Sequence, residues 1–573
     1  MSRDRPTTDP RLLPPDWSPR PAPPRRLRLL VLAMIPLSLW YFGWLLQPGR
    51  VGVPVLFGIL VAAELFNFAQ ATGFWWTVTR GDRRPAAPSA GGAAARGAGG
   101  GGAGVAARDA DTDAPTFPGA PPLVDVLIPT YDEPLAVLEP TVRAALAMRG
   151  ARLVVSVLDD GCRPEVEAMA ERLGARYVAR EESAGAKAGN INSALLSTGS
   201  PFVAVLDCDH VPRPDFLERT LEPMVDEGVA FVQTPQYYAN SRRGGIAAAA
   251  WAQQALFFGA ISRGKDADGA MFCCGTNVLF RRTALESVGG FPTDSITEDF
   301  ALSVKMHERD WESRYLPEVL AVGLGPEDMA SYVGQQRRWA RGCLGAIGRV
   351  LRARLPLRKR VHYLLSSAYF LSGWALLAYM SFPLIRIFTG AQPIAAASAD
   401  QFVLHFAPYF CTALAMVVVA GRGTYTFAGF ALAAATFWVQ ILASLAALTR
   451  RAGRFVVTPK QGAGARQPFA AAPTLLAIAA LLVGSAWGLI HHRSPSTLNN
   501  VAFALLHVTV LASGARWALM RDGGQEAEPE ADAAPEPRPE SIPTPVPGRA
   551  SELWWSYDHQ SSEAQRGQRD VGR

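Results

Sequence analysis

Two aspartates stand one residue apart at the end of an apolar stretch, FVAVLDCDHVPRP, which begins at Phe202. In an extended chain, residues i and i+2 point the same way, so Asp207 and Asp209 can reach one target together. Clustered carboxylates repel each other unless a cation or a proton lies between them. The pair therefore predicts either a cation site or a solvated turn, since Asp and Pro also favour turns. His210, the next residue, is interpreted as part of such a turn.

The elements that would position these aspartates lie between residues 121 and 350. Short β-rich runs alternate there with helical patterns, and the runs are VDVLIPT, RLVVSVLDD, ARYVARE, PFVAVLDCD and VAFVQTP. This alternation predicts an α/β domain with a mostly parallel sheet and crossover helices. Ligands of such sheets bind beyond the carboxyl ends of the strands. That edge would carry the side chains of Asp132, Asp159, Asp160, Asp207, Asp209 and Gln233. A cation site is therefore favoured over a solvated turn.

No glycine motif of the common nucleotide sites accompanies these carboxylates. The sequence contains no G-x-x-x-x-G-K-[ST], and no G-x-G-x-x-G follows the first strand, which argues against P-loop and dinucleotide sites. Mg²⁺ and Mn²⁺ take oxygen ligands and often combine one or two carboxylates with substrate phosphates. We therefore expect Mg²⁺ or Mn²⁺ together with a diphosphate. The net charge of +6 lies mostly beside apolar segments, so nucleic-acid binding is not expected.

Membrane segments are predicted on both sides of the α/β region. The chain has 573 residues, of which 49% are hydrophobic, and is too long for one ordinary domain. Apolar runs close to the length of about 20 residues that spans a bilayer cover residues 27–46, 51–76, 361–382, 402–420, 470–490 and 501–520. Basic flanks such as RKR at 358–360 predict that both termini and the α/β region are cytoplasmic. A further apolar stretch, 424–448, is interpreted as an interfacial helix, because a seventh membrane crossing would place the C-terminus on the opposite side of the membrane.

Several motifs follow one another in a fixed order. They are LDDG at 158–161, KAGNIN at 187–192, LDCD at 206–209, QTPQ at 233–236, FCCGTN at 272–277, ITED at 296–299 and QQRRW at 335–339. A lone D-x-D is a weak signal, whereas the ordered set is a strong one. The set resembles the processive family-2 glycosyltransferases, specifically the bacterial cellulose synthase catalytic subunits and their relatives. The resemblance implies a GT-A-type, Rossmann-like α/β glycosyltransferase domain inserted between α-helical transmembrane segments.

The apolar runs, the composition and the resemblance together divide the chain into segments. They are a disordered cytoplasmic N-terminus (1–24), two transmembrane helices (25–78), a flexible Gly/Ala linker (79–120), the glycosyltransferase domain ending in an amphipathic interfacial helix (121–350), two transmembrane helices (351–423), an interfacial helix with a gating loop (424–468), two transmembrane helices (469–521) and a disordered cytoplasmic tail (522–573). The polar, Gly-rich and Pro-rich compositions of the terminal segments and the linker cannot bury enough apolar surface to fold.

The resemblance implies that the donor is a UDP-sugar. Asp159 and Asp160 would hold its nucleoside, and the ammonium group of Lys187 would face its phosphates. Asp209, with Asp207, would bind Mg²⁺ or Mn²⁺ on the diphosphate, where the metal stabilises charge on the leaving UDP.

The T-E-D motif would carry the catalysis. Asp299, its last residue, would be the general base that deprotonates the acceptor hydroxyl, and Thr297 and Glu298 are assigned to catalysis with it. A single inverting displacement needs only one base, so an α-linked UDP-sugar would give a β-linked product.

Further residues are predicted to bind the substrates. Gln335, Arg338 and Trp339 lie on an amphipathic helical pattern, and the indole of Trp339 suits the apolar face of the acceptor's terminal sugar. The guanidinium of Arg338 can pair with phosphate oxygens. Gln233 belongs to the QTPQ motif, and Cys274 matches a cysteine of the family's acceptor pocket, although a core cysteine has the same pattern.

A gating loop is predicted from RFVVTPK at 454–460, which resembles the F-x-V-T-x-K loop of cellulose synthases. Its residues Phe455, Val457, Thr458 and Lys460 would close over bound UDP and exclude water. The alternative is a basic loop that only contacts anionic lipids.

The resemblance predicts a membrane-embedded processive enzyme that polymerises a UDP-sugar, UDP-glucose first, into a β-glycan such as cellulose and extrudes it. It would be a multi-pass inner-membrane protein whose partners are the donor, the growing polysaccharide, lipids and accessory export subunits. The sequence has no R-x-x-x-R…D-x-S-x-x-G signature of a PilZ domain, so direct cyclic-di-GMP binding is not expected.

Four alternatives stay open. The product could be a β-1,3-glucan or an N-acetylglucosamine polymer, or the enzyme could transfer one sugar to a lipid carrier. A channel or transporter that only binds a nucleotide-sugar would bind the donor without turnover.

Overall fold

The computed structural model describes residues 24–81, 120–449 except 182, 244, 396 and 397, and 467–520. The predicted terminal segments, most of the linker and the gating-loop residues Phe455, Val457, Thr458 and Lys460 lie outside the described residues.

The described chain has ten β-strands. They are β1 (Leu123–Thr130), β2 (Arg152–Asp159), β3 (Arg176–Ala179), β4 (Phe202–Val205), β5 (Val211–Pro212), β6 (Val229–Gln233), β7 (Tyr237–Tyr238), β8 (Val278–Arg281), β9 (Glu312–Tyr315) and β10 (Ala321–Gly323). Seven of them form one sheet in the order β3-β2-β1-β4-β8-β6-β9, and β5, β10 and β7 form a small second sheet. Neighbouring strands of the large sheet are parallel except where β8 meets β4 and β6. The mostly parallel sheet predicted from the sequence is therefore confirmed.

Nine helices belong to the same region. They are α3 (Leu135–Leu146), α4 (Pro164–Leu173), α5 (Ala186–Leu196), α6 (Phe216–Leu221), α7 (Gly245–Leu256), α8 (Ser262–Ala267), α9 (Arg282–Ser287), α10 (Glu298–Glu308) and α11 (Met329–Arg352). Apolar side chains of α3, α4 and α6 pack on one face of the large sheet, and those of α5, α9 and α10 pack on the other. The strands read as continuous apolar runs because both of their faces are buried.

Nine more helices lie before and after this region. They are α1 (Pro24–Leu45), α2 (Pro54–Val78), α12 (Leu357–Ala368), α13 (Ser372–Thr389), α14 (Ala399–Gly421), α15 (Phe427–Ala435), α16 (Phe437–Leu448), α17 (Ala472–His491) and α18 (Pro495–Leu519). Among the described residues, six helices are long and apolar enough to cross a membrane, with α12 and α13 together making one of them. Six predicted spans are thus matched by six apolar helices.

The stretch predicted as one interfacial helix, 424–448, differs from the prediction. It forms two helices, α15 and α16, with a bend of 46° between them at Thr436. The pair would be a seventh membrane span only if both helices crossed the membrane as one broken span. At the break the hydroxyl of Thr474 donates to the carbonyl of Ala435 at 2.5 Å. A broken apolar helix is tolerated where a neighbouring side chain satisfies the freed backbone group.

A polar cluster joins the α/β region to the apolar helices. Asp268, which follows α8, accepts from Arg80 Nη1 at 2.9 Å and pairs with His362 Nε2 of α12 at 3.0 Å. Lys265 of α8 donates to Ser366 Oγ at 2.7 Å and to the carbonyl of His362 at 3.2 Å. We call these five residues the membrane joint, because they connect α2, α8 and α12.

Candidate active site

The carboxyl ends of β2 and β4 carry the aspartates predicted at the sheet edge. β2 ends at Asp159, with Asp160 directly after it, and Asp207 and Asp209 follow the end of β4. β1 lies between these two strands, in register with both, so the two aspartate pairs flank its own carboxyl end. These four aspartates therefore lie at one edge of the large sheet.

Asp207, Asp209 and His210 form a compact group of possible metal ligands. One ligand atom from each lies within 4.8 Å of the others. His210 makes the predicted turn, since its N–H donates to the carbonyl of Asp207 at 2.9 Å, but its Nδ1 also lies 3.1 Å from Asp209 Oδ1. Two carboxylates and an imidazole suit a divalent ion such as Mn²⁺ or Mg²⁺. The residues present therefore fit the predicted metal, and His210 is a candidate ligand that the turn interpretation missed.

Lys187 lies beside this group. Its Nζ donates to Asp207 Oδ1 at 2.5 Å and to the carbonyl of Gly275 at 2.7 Å. Burial alone would lower the pKa of the Lys187 ammonium, but the nearby carboxylates of Asp207, Glu298 and Asp299 outweigh burial and raise it. The side chain is thus held as a cation at the edge where a diphosphate is predicted.

Asp299 approaches the same point from the first turn of α10. Its Oδ1 accepts from the N–H of Phe300 at 2.7 Å, and a Cβ built on Gly275 would lie 3.1 Å from its Oδ2 and 3.7 Å from Lys187 Nζ. Gly275, with a φ of +86°, therefore leaves room for both charged groups. Burial, followed by the charge of Glu298, raises the pKa of Asp299 to about 7, although Lys187 is among the groups that oppose the shift.

Asp159 and Asp160 are both held by arginines. Asp159 is fully buried; it accepts from the backbone N–H of Arg163 at 2.8 Å and from Arg163 Nη2 at 3.0 Å. Asp160 accepts from Arg180 Nε at 2.5 Å and from Arg180 Nη2 at 2.7 Å. Both aspartates lie at the predicted edge, with their carboxylates engaged by protein groups.

Gln233 braces the loop that carries Cys274. It is fully buried; its Nε2 donates to the carbonyl of Thr276 and its Oε1 accepts from the N–H of Cys274, both at 2.8 Å. The structure thus places Gln233 behind the loop. Cys274 is half-buried, and its carbonyl accepts from Gln236 Nε2 at 2.7 Å.

Helix α11 closes one side of the site. Arg338 lies near Asp299, since its charge helps to lower the pKa of that carboxyl. Gln335 Nε2 is 3.5 Å from the hydroxyl of Tyr238, and its buried Oε1 has no hydrogen-bond partner within the described part of the chain. Trp339 packs against an apolar cluster that includes Phe370.

A close contact ties α11 to the T-E-D motif. Gly342 lies against Thr297, and a Cβ built on Gly342 would overlap the Thr297 side chain. Thr297 is buried, and its hydroxyl has no hydrogen-bond partner among the residues that the structure describes. The position of Asp299 relative to α11 therefore depends on a glycine that sequence motifs did not single out.

The structure brings together five of the predicted residues, namely Lys187, Asp207, Glu298, Asp299 and Arg338. The sequence interpretation missed Arg163, Arg180, Gly275 and Gly342, whose side chains or missing side chains set the geometry. Two of these had a visible signal, because Gly275 lies within FCCGTN and Arg163 follows LDDG closely.

Comparison with known families gives a specific match. The family described as "Glycosyltransferase like family 2" matches residues 121–342. The predicted resemblance is confirmed. "Cellulose synthase 1 catalytic subunit [UDP-forming]" of Komagataeibacter xylinus is 35% identical over 369 residues, covering 62% of this chain and 49% of the relative. "Putative cellulose synthase 2" of the same organism is 36% identical over 362 residues, covering 61% of this chain and 24% of the relative.

The chain thus spans less than half the length of these curated relatives. The family match and the mixed α/β sheet confirm the predicted GT-A-type domain between apolar helices. The cellulose synthase relatives and the six apolar helices together indicate a membrane protein.

Two solved structures are also similar to this chain. One is a mannosyltransferase from Pyrobaculum calidifontis in complex with GDP-Man and Mn²⁺, with a TM-score of 0.46, 18% identity and coverage of 68% of this chain and 99% of that chain. The other is a glucosyl-3-phosphoglycerate synthase from Mycobacterium tuberculosis in complex with Mn²⁺ and UDP-glucose, with a TM-score of 0.27, 19% identity and coverage of 36% of this chain and 73% of that chain.

Proposed function

We propose that the protein is a processive inverting glycosyltransferase that polymerises a UDP-sugar into a β-glycan and extrudes it across the membrane. UDP-glucose is the first candidate for the donor. The observation that carries the proposal is the meeting of Lys187, Asp207 and Asp299 around Gly275, beside α11 and next to the apolar helices. A cation, a carboxylate that can bind a metal and a half-buried acid of raised pKa are the groups that sugar transfer from a diphosphate requires.

Asp299 is the proposed general base. Its pKa of about 7 makes the carboxylate a stronger base than an ordinary aspartate, while a large fraction stays deprotonated near neutral pH. It would take the proton of the acceptor hydroxyl as that oxygen attacks the anomeric carbon of the donor. The bond between that carbon and the diphosphate oxygen breaks in the same displacement, so the configuration inverts.

The donor's diphosphate is proposed to bind at the edge formed by Lys187, Asp207, Asp209 and His210. A divalent metal, Mg²⁺ or Mn²⁺, would be held by Asp207, Asp209 and His210, and when bound it would neutralise charge on the leaving UDP. Lys187 would add a second positive charge, with its Nζ donating to a phosphate oxygen beside Asp207.

Membrane placement follows from the apolar helices. A polysaccharide is too polar to cross lipid unaided, so an acceptor end that lies next to membrane helices can feed directly into a path between them. We propose that the helices span the inner membrane with the α/β domain on the cytoplasmic side, where UDP-sugars are made. Accessory export subunits would then act on the outer side.

The test is a transfer assay on membranes that contain the full chain. Radiolabelled UDP-glucose, UDP-N-acetylglucosamine and other UDP-sugars are supplied with Mg²⁺ or Mn²⁺, with and without EDTA. We expect high-molecular-weight label from one donor, lost with EDTA and lost in Asp299→Asn. The matched control is Asp294→Asn, because Asp294 is exposed and pairs with Arg349 at the surface.

Each outcome separates the candidate functions. Linkage-specific glucanases would identify the bond of a glucose polymer, and label from UDP-N-acetylglucosamine would assign an aminosugar polymer. Label found only in lipid extracts would show single transfer to a carrier. An Asp299→Asn variant that polymerises as well as the wild type would contradict the proposed function.

A further inference from the structure

Arg180 makes a set of hydrogen bonds that none of the substrate-binding roles proposed above accounts for. It follows β3, and its guanidinium donates to both oxygens of Asp160, from Nε at 2.5 Å and from Nη2 at 2.7 Å. The same group donates from Nη1 to the carbonyl of Ala184 at 2.7 Å and from Nη2 to that of Ala186 at 3.0 Å. Its side chain is only 13% exposed. Arg180 therefore links the end of β2 to the turn before α5.

The turn that Arg180 holds has an unfavourable backbone conformation. Gly185 has a φ of +77°, and Ala186, which carries a Cβ, has a φ of +47°. The left-handed region costs a non-glycine residue about 1 kcal/mol or more, so other contacts must maintain it. Gly185 begins α5 without a side-chain cap, and the turn packs against Gly189, where a Cβ would overlap the carbonyl of Ala184. The two hydrogen bonds from Arg180 to this turn oppose its relaxation, together with the backbone bond that the N–H of Ala186 donates to the carbonyl of Ser183 at 3.2 Å.

Lys187 is the next residue after this turn. Its backbone continues directly from Ala186, and its Nζ donates to Asp207 and to the carbonyl of Gly275. A change in the turn would therefore move the start of the Lys187 side chain relative to the edge where the diphosphate is proposed to bind. None of the four hydrogen bonds that Arg180 donates involves Lys187, Asp207 or Gly275.

We propose that Arg180 is a positioning residue for the binding of a nucleoside diphosphate. Its guanidinium holds the Asp160 carboxylate with two hydrogen bonds and the turn with two more. Asp160 and Lys187 would thus keep a constant separation before the donor binds. This inference rests on the proposed function, because it concerns the same donor site. The preorganisation lowers the cost of ordering the site when the donor binds.

The geometry of the group explains why arginine is present. A guanidinium presents five N–H donors in a rigid plane and can bind a carboxylate with two of them while others reach carbonyls. A lysine at this position would keep the positive charge but could not bind both oxygens of Asp160 and both carbonyls at once. Arg180→Lys therefore separates the effect of charge from the effect of the fork.

The matched control lies on β3, the strand that Arg180 follows. Arg176 of β3 is exposed and donates to the carbonyl of Ser197 at 3.1 Å, on the opposite side of α5 from the turn. Arg176→Ala removes a guanidinium from β3, four residues before Arg180, without touching Asp160 or the turn. It should leave donor binding and turnover at wild-type values.

The experiment compares Arg180→Ala, Arg180→Lys and Arg176→Ala in the purified full-length protein in detergent. Three quantities are measured: the Kd for UDP with Mn²⁺ by calorimetry, KM and kcat for the UDP-sugar that the wild type uses, and the thermal unfolding temperature. We expect Arg180→Ala to raise the UDP Kd and the donor KM by about ten- to a hundredfold, the range of one or two charge-assisted hydrogen bonds. Its kcat should change much less, and added guanidinium ion should restore part of the affinity.

Arg180→Lys should be intermediate in UDP affinity and fold like the wild type, so it carries the test if Arg180→Ala does not fold. Unchanged UDP Kd and donor KM in a folded variant would overturn the inference. A loss that follows the unfolding temperature alone, with no rescue by guanidinium, would also overturn it, because the role would then be structural. A wild-type protein that neither binds UDP nor transfers sugar would instead overturn the proposed function.

Discussion

Two opposing sets of neighbours determine whether the Asp299 side chain is charged. Burial and the adjacent Glu298 favour its protonated form, whereas the N–H of Phe300 and the cations of Lys187 and Arg338 favour the carboxylate. A general base acts only when it is deprotonated. Since the pKa of Asp299 is raised to about 7, transferase activity should be low at pH 5 and rise as the pH increases through 7.

Glu298→Gln should move this rise to lower pH. The substitution removes a negative charge next to Asp299, so the pKa of Asp299 should fall by about one unit, a size common for neighbouring charges. The measurement is kcat/KM for the donor between pH 5 and 9. Asp294→Asn, at an exposed carboxylate, should keep the wild-type profile. A rise that stays in place or moves to higher pH in Glu298→Gln would contradict this account of Asp299.

At the residue scale, the sequence predicts the charged groups better than the residues that orient them. Lys187, Asp207 and Asp299 belong to motifs whose residue types suit a diphosphate, and the structure brings them together. Their roles stay predictions. Arg180 and Gly342 could not be found this way, because an arginine that holds a turn and a glycine that admits a neighbour look like any others until the chain is folded.

Helix α11 and the T-E-D motif pack against each other at Gly342. A side chain at this position must push α11 away from Thr297, because the two lie in direct contact. Asp299 lies two residues after Thr297, and small displacements of reacting groups reduce turnover strongly.

We expect Gly342→Ala to lower kcat by at least about tenfold, since displacement by an ångström can cost up to a hundredfold. Gly345→Ala is the matched control on the same helix, because nothing lies within 4 Å of the Cβ it would add. That control should keep wild-type kcat and gain up to about 1 kcal/mol of stability from alanine's higher helix propensity. Steady-state kinetics and thermal unfolding of both variants provide the test; equal kcat values would show that the contact does not matter for catalysis.

At the element scale, hydrophobic patterns predict the parallel strands and the six apolar helices, but not their exceptions. The pattern of VLFR in β8 does not reveal that this strand runs antiparallel between β4 and β6, because pairing partners are chosen by the whole sheet. The bend next to Thr436 has no proline to mark it. Instead, Thr474 of another helix donates to the carbonyl of Ala435, and the hydroxyl of Thr436 bonds back to the carbonyl of Ala433.

For the whole molecule, the membrane joint is one of the places where the α/β region and the apolar helices are held together. Lys265 is buried there, and burial is the main cause that lowers the pKa of its ammonium to about 7. In an unfolded chain a lysine has a pKa of about 10.4. Between these values the folded state binds fewer protons than the unfolded state, so this residue makes stability rise with pH, and its buried charge is most unfavourable below pH 7.

Lys265→Met should therefore raise the thermal unfolding temperature more at pH 6 than at pH 9. Methionine fills a similar volume without charge, and the carbonyl of His362 keeps a donor because Ser366 Oγ also donates to it at 2.8 Å. The control is Lys305→Met, at a half-buried lysine of α10, which should show no such difference between the two pH values. Lower stability of Lys265→Met at both pH values would indicate that the charge holds the joint together.

The position of β8 also constrains how the chain must fold as it is synthesised. β4 and β6 are made first, yet they do not pair with each other in the folded sheet, because β8 takes the place between them. Until residues 278–281 leave the ribosome, β4 keeps one open edge of unpaired backbone groups, and β6 keeps two because β9 is made later still. Such edges promote aggregation. During that interval the chain has already made α1 and α2. Early insertion of those two helices would keep each unfinished sheet tethered at the membrane and apart from its neighbours while the gap is open.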